Sequence, residues 1–167
     1  MRKFNISNQW RSLMVYVLLI SMLFILITTY RHGEKQDAGY YQESAQYEYA
    51  VKLLSEEKGE EAVKLLRQLV NGRYGDSYEV IWKYGMACAI TEDYPMAIEQ
   101  LLKAQEIRPA LITNGLYMVQ FGEVLARNKD YQNAELYLQK ALELNLPDEL
   151  RSGAEELLKQ IQKIKKQ

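Results

Sequence analysis

Residues 82–104 read WKYGMACAITEDYPMAIEQLLKA, and the spacing inside this stretch decides the fold. An aromatic-small pair, Tyr84-Gly85, is followed by Cys88, by Tyr94 and Ala97, and then by Leu101 and Ala104. Upstream the same residue types return as Tyr49-Ala50, Leu53, Gly59, Ala62, Leu66 and Leu69. Downstream they return as Phe121-Gly122, Leu125, Tyr131, Ala134, Leu138 and Ala141. The step from Ala50 to Ala62, from Gly85 to Ala97 and from Gly122 to Ala134 is constant, and successive copies are 35 and 37 residues apart. A period close to 34 residues belongs to helix–turn–helix units, which bury their apolar faces by stacking on one another.

The recurring types follow from packing. Ala50, Gly85 and Gly122 are small where the first helix of each pair presses on its partner, and Ala62, Ala97 and Ala134 answer from the second. Tyr49, Tyr84 and Phe121, with Leu66, Leu101 and Leu138, are expected to fill the volume between pairs. The turns within pairs read Glu57-Lys58-Gly59-Glu60, Glu92-Asp93-Tyr94-Pro95 and Lys129-Asp130-Tyr131-Gln132. Pro95 suits the first turn of a helix, where its missing N–H costs nothing. Between pairs, Asn71-Gly72 and Asn114-Gly115 are expected to supply left-handed positions. Beyond Pro147, Leu150, Ala154, Leu157, Leu158, Ile161 and Ile164 form one apolar helical stripe. A helix there, within residues 148–167, caps the last pair, and the alternative of Lys159, Lys163, Lys165 and Lys166 touching anionic lipid is the weaker one.

Over roughly Glu43 to Pro147 the chain resembles the tetratricopeptide repeat (TPR) family. The resemblance is carried by Trp82, Tyr84-Gly85, Tyr94, Ala97 and Pro109, and again by Phe121-Gly122, Tyr131 and Ala134. In the first copy Gly59 replaces the turn aromatic. The resemblance implies an all-α protein, a right-handed α-solenoid of three TPR helix pairs (about 43–76, 78–111 and 115–147). It further implies that the first helices line a concave surface. The positions falling there are Tyr47, Val51 and Leu54, then Trp82, Lys83, Met86, Ala89 and Ile90, then Val119, Gln120, Glu123 and Arg127. Largely apolar, they suit a helix or extended peptide of another protein, with Tyr47 and Trp82 either anchoring it or packing on neighbouring segments. A carboxylate clamp of the kind known in TPR domains would need Lys and Asn where Tyr47, Val51, Trp82 and Met86 stand.

Ahead of the repeats, residues 12–30 carry no charge between Arg11 and Arg31. As a helix they extend about 28 Å at roughly 1.5 Å per residue, close to the hydrocarbon thickness of a bilayer. Trp10 and Tyr30 mark the two headgroup levels. No small-x-small cleavage site follows, so the expectation is an uncleaved, single-pass transmembrane helix after a short tail, 1–11. Arg2, Lys3 and Arg11 on one side against Arg31 and Lys35 on the other favour a cytoplasmic N-terminus and an extracytoplasmic body. The sequon Asn5-Ile6-Ser7 lies in the tail beside the membrane and is read as chance. Residues 31–42 read as a polar connector.

Charge and composition exclude several classes. Residues 32–167 hold 17 basic and 22 acidic residues, a poor match for nucleic acid. One Cys and one His rule out a disulfide framework and a zinc site built from those types, and no cofactor or metal is expected. Cys88 falls on a packing face, His32 sits at the membrane edge, and no phosphate-binding glycine loop follows a strand, so an enzyme is not expected. The function expected is a membrane-anchored interaction module (scaffold, assembly factor or chaperone-like adaptor). The alternative is a structural or regulatory subunit recruited through its transmembrane helix.

Overall fold

The computed structural model describes residues 8–166. The N-terminal tail with Arg2, Lys3 and the Asn5-Ile6-Ser7 sequon lies outside the described residues, as do the side chains of Arg11, Arg31, His32 and Lys35. The elements are α1 (Asn8–Ser55), α2 (Gly59–Asn71), α3 (Tyr78–Ile90), α4 (Tyr94–Ile107), a short 3-10 helix (Pro109–Thr113), α5 (Gly115–Arg127), α6 (Tyr131–Leu142) and α7 (Asp148–Ile164). The protein is all-α, with no strand among the described residues. It divides into two compact units, Met1–Ser44 and Ala45–Gln167.

In the first unit α1 is apolar from Ser12 to Tyr30, with a mean hydropathy of 2.4 and none of the stretch buried. Ser21 donates its hydroxyl to the Leu18 carbonyl at 2.8 Å, and Thr29 donates to that of Ile25 at 2.8 Å. Thr28 donates to the carbonyls of Phe24 and Ile25. Folded back in this way, the hydroxyls of Ser21, Thr28 and Thr29 are satisfied by the helix's own carbonyls. The connector 31–42 is helical, part of α1 itself. It holds no proline, and Gly33 and Gly39 weaken a helix by only about 1 kcal/mol each, which flanking turns absorb.

The second unit is a stack of antiparallel hairpins: the end of α1 with α2, α3 with α4, and α5 with α6. Gln46 fastens the first, its side-chain amide donating to the Leu65 carbonyl at 3.2 Å and to Gln68 Oε1 at 3.0 Å. The turns within pairs are built alike. Glu57, Glu92 and Lys129 take φ of 57°, 63° and 65°. The next N–H reaches back five residues, Lys58 to Leu53, Asp93 to Cys88 and Asp130 to Leu125, each at 2.9 Å. This double reversal satisfies carbonyls left open at the helix end. The left-handed positions expected at Asn71-Gly72 and Asn114-Gly115 are absent: φ is −102° at Gly72 and −91° at Asn114. Pro109 and the 3-10 helix already end α4, so Asn114 is free to cap α5, its side chain accepting from the Tyr117 N–H at 3.0 Å.

Close approach fixes the small residues. A methyl group on Gly85 would lie 3.2 Å from the Ala97 carbonyl oxygen and 3.1 Å from Leu101 Cγ; one on Gly122 would lie 2.8 Å from Leu138 Cγ. Gly59 has a reason of its own, since a methyl there would lie 2.7 Å from Ile90 Cγ2, leaving no room for a turn aromatic. Leu66, Leu101, Leu138, Tyr84 and Phe121 are buried, but Tyr49 is 52% exposed. No helix pair precedes it in the unit, so the volume it was expected to fill has only one wall. At the other end α7 caps the stack by burying Ala154 and Ile161. Its Arg151 donates to the carbonyls of Leu142 and Leu144, closing the end of α6. Lys165 pairs with Glu135.

Candidate partner-binding groove

The groove is built by helices at alternate places in the chain, α1, α3, α5 and α7. Between the end of α1, the C-terminal half of α3 and α5 lies a cavity of about 380 Å³. Leu54, Met86, Ala89 and Ile90 give it apolar walls, and Glu57, Glu92, Tyr94, Glu123 and Arg127 stand around them. A second cavity, of about 600 Å³, lies between α5 and α7. Val119, Ala126, Leu150, Leu157, Ile161 and Ile164 line it, with Glu149 and Glu156. Glu123 and Arg127 border both cavities. Arg127 Nη2 donates to Glu123 Oε1 at 2.8 Å, one helical turn away, and this hydrogen bond and the Glu123 charge push the guanidinium pKa up.

The residues expected on the concave face divide into three groups. Leu54, Met86, Ala89, Ile90, Glu123 and Arg127 meet at the first cavity. Tyr47 and Val51 are half-buried on α1 and border neither cavity. Burial, then the nearby Glu79, pushes the Tyr47 phenol pKa up. Trp82, Lys83 and Gln120 border neither cavity, whereas Val119 lines the second. Trp82 is only 8% exposed: its ring meets the edge of Tyr117 at 5.4 Å, and its N–H donates to Gln120 Oε1 at 2.9 Å. Lys83 Nζ lies over the same ring, 5.0 Å from its centroid. Val119 is buried at the edge of the second cavity. α5 therefore covers most of that ring, and what remains of Trp82 borders a separate cavity of about 330 Å³ with Tyr78, Glu79 and Arg108.

Behind the groove runs a chain of aromatic contacts, from Trp82 to Tyr117, to Phe121 and to Tyr137. Tyr117 donates its hydroxyl to the Leu101 carbonyl at 2.8 Å, and Tyr137 donates to Gln105 Oε1 at 3.1 Å. Cys88 is buried, and its thiol is pushed up to about 11, chiefly by loss of water. Such a thiol is a poor nucleophile. Among the described residues no group of three or more His, Cys, Asp or Glu side chains could hold a metal ion.

Sequence reasoning missed Glu57 and Glu92, which reach the groove from the left-handed turn position, and the share that α7 takes in it. The stripe on α7 was legible, but spacing alone does not say which half of a stripe a neighbour covers.

No curated protein matches the chain. The profile of the tetratricopeptide repeat matches residues 117–148, the α5–α6 pair. Residues 117–148 carry a tetratricopeptide repeat. Solved TPR structures agree across most of the chain. The TPR domain of Sgt2 from Aspergillus fumigatus aligns with a TM-score of 0.62 at 14% identity, covering 75% of this chain and 83% of that one. The Yersinia enterocolitica type III secretion chaperone SycD, in complex with a peptide of the translocator YopD, aligns at 0.60 and 21%, covering 74% and 94%. The TPR2B domain of yeast Sti1, in its pHsp70 complex, aligns at 0.60 and 18%, covering 72% and 96%. At these identities the likeness fixes the TPR fold alone, since unrelated functions share folds.

Proposed function

We propose that the protein is a single-pass membrane protein whose TPR unit holds a helix or extended peptide of another protein beside the bilayer, as a scaffold, assembly factor or chaperone-like adaptor. The observation that carries the reading is the pair of hollows, of about 380 and 600 Å³, in which Leu54, Met86 and Ile90, then Val119, Leu150 and Leu157, remain open after the helix pairs have packed. Hollows of this size suit a partner's side chains. That SycD was solved with a translocator peptide, and Sti1 TPR2B with pHsp70, supports the same use here. For the membrane, Ser12–Tyr30 has the length and hydropathy of a span, and its inner hydroxyls are satisfied by its own carbonyls. The Lys and Arg count at the flanks favours a TPR unit outside the cytoplasm.

A photo-crosslinking residue at Ile90 or Leu157 of the full-length protein in its own membrane tests the reading. The expected result is one protein partner captured from these positions and none from Leu102 or Leu136, exposed on the second helices. Equal capture from all four positions counts against the groove. Replacing 12–30 by an unrelated apolar span separates the rival reading, in which the anchor itself recruits the protein: loss of capture then favours the rival.

A further inference from the structure

Resting on the groove reading above, we infer that the occupant is a cationic amphipathic segment, with apolar side chains on one face and Lys or Arg beside them. Two hollows follow one another along the stack, a mixed one where Leu54, Met86 and Ile90 lie among charged side chains and a mainly apolar one walled by Val119, Leu150 and Leu157. Every charged group bordering the two is a carboxylate except Arg127. Glu57 and Glu92 stand at the first hollow, Glu149 and Glu156 at the second, and Glu123 between them. Arg127 is bound to Glu123 at 2.8 Å, and among the described residues no cation pairs with Glu57, Glu92, Glu149 or Glu156, the last of which accepts from Gln160 Nε2 at 3.2 Å.

The placement of these acids is not that of a general solvated face. Glu57 and Glu92 occupy the same left-handed turn position in successive repeats, where glycine is the easier residue, whereas Lys129, at that position in the third repeat, borders neither hollow. At Glu57 and Glu92 the side chain borders the first hollow, so its charge is felt by whatever lies there. An acidic rim around the two hollows selects a partner by charge and holds it by burial: complementary charges raise the association rate, and like charges exclude the wrong segment. Glu123 and Arg127, one turn apart, separate the hollows, so the segment needs two apolar anchors spaced by a turn or two of helix, or by a few extended residues.

Full-length protein in phosphatidylcholine nanodiscs tests the inference with two labelled peptides. They share one leucine stripe; one carries Lys and the other Glu beside it. By fluorescence anisotropy the Lys peptide should bind at least about tenfold more tightly at low salt, with the difference shrinking as salt rises. Double reversal with Glu92→Lys and Glu149→Lys should invert the preference. The control pair Glu60→Lys and Glu155→Lys alters net charge equally away from the hollows and should leave the preference unchanged. Equal binding of the two peptides, retained Lys preference after reversal, or an equal effect of the control pair overturns the charge inference and leaves the groove standing. If neither peptide binds, the groove reading falls with it. If peptide binding disappears as the protein is concentrated, a second copy of this chain is the occupant, and the inference is again overturned.

Discussion

Trp82 on α3 gives its indole N–H to the side-chain oxygen of Gln120 on α5, 38 residues later, at 2.9 Å. The bond ties the second repeat to the third and explains why an aromatic that looked available to a partner is mostly covered. Removing its acceptor leaves a nearly buried donor without a partner. Gln120→Leu should destabilise the protein by about 1–2 kcal/mol. Urea unfolding followed by far-ultraviolet circular dichroism measures it, and an unchanged midpoint would show that water replaces the acceptor.

Two glycines should respond in opposite directions. Gly122→Ala forces a methyl to within 2.8 Å of Leu138 and should cost about 1–3 kcal/mol as α5 and α6 are pushed apart. Gly153, inside α7, has nothing within 4 Å of the added carbon, so Gly153→Ala should stabilise by about 0.5–1 kcal/mol through helix propensity alone. Thermal melts of the two variants check the contrast; a shift of the same sign in both contradicts the close-approach account.

The within-pair turns differ in one respect. Asp93 and Asp130 accept from the N–H groups of Met96 and Asn133, at 3.3 and 3.2 Å, whereas Lys58 at the same place offers no acceptor. Asp93→Ala should therefore cost about 1 kcal/mol, and Lys58→Asp should return a similar amount to the first pair. The exposed Lys58–Glu56 pair lost in that change is worth little. Denaturant midpoints of the two variants provide the test, and stabilisation by Asp93→Ala would contradict it.

Cys88 predicts an alkaline dependence. Its folded-state pKa, about 11, lies above the value of about 8.5 for a free thiol, so the unfolded chain gives up the proton first. The contribution is present in full below about pH 8.5 and is lost as pH rises toward 11, by up to about 3 kcal/mol. Comparing the wild-type protein with Cys88→Ala across this interval isolates the thiol from the tyrosines. Parallel stability curves would show that Cys88 is reached by solvent. In the same state, alkylation of the native thiol near pH 8 should be slow and should become fast on denaturation.

The helix pairs were legible because the step from one small residue to the next records a packing distance, which Gly85 against Ala97 and Gly122 against Leu138 now make explicit. The apolar span was legible from composition alone. Burial of Trp82 was not, because it depends on Tyr117 and Gln120, and neither sits at a spacing that announces the contact. Glu57 and Glu92 were hidden for another reason: glutamate has no preference for a left-handed backbone, so the turn imposes what the residue type does not predict. The helical course of the connector was not legible, since two glycines signal a break only where the neighbouring turns do not hold the helix.

The aromatic chain from Trp82 through Tyr117 and Phe121 to Tyr137 spans α3, α5 and α6. Sliding one of these helices past another would break edge-on ring contacts and two hydroxyl bonds at once, so the curvature between the second and third repeats is braced rather than adjustable. A braced receptor loses little freedom on occupation; the ordering falls almost wholly on the incoming chain, and a guest that is already helical has the advantage over a floppy one of the same composition.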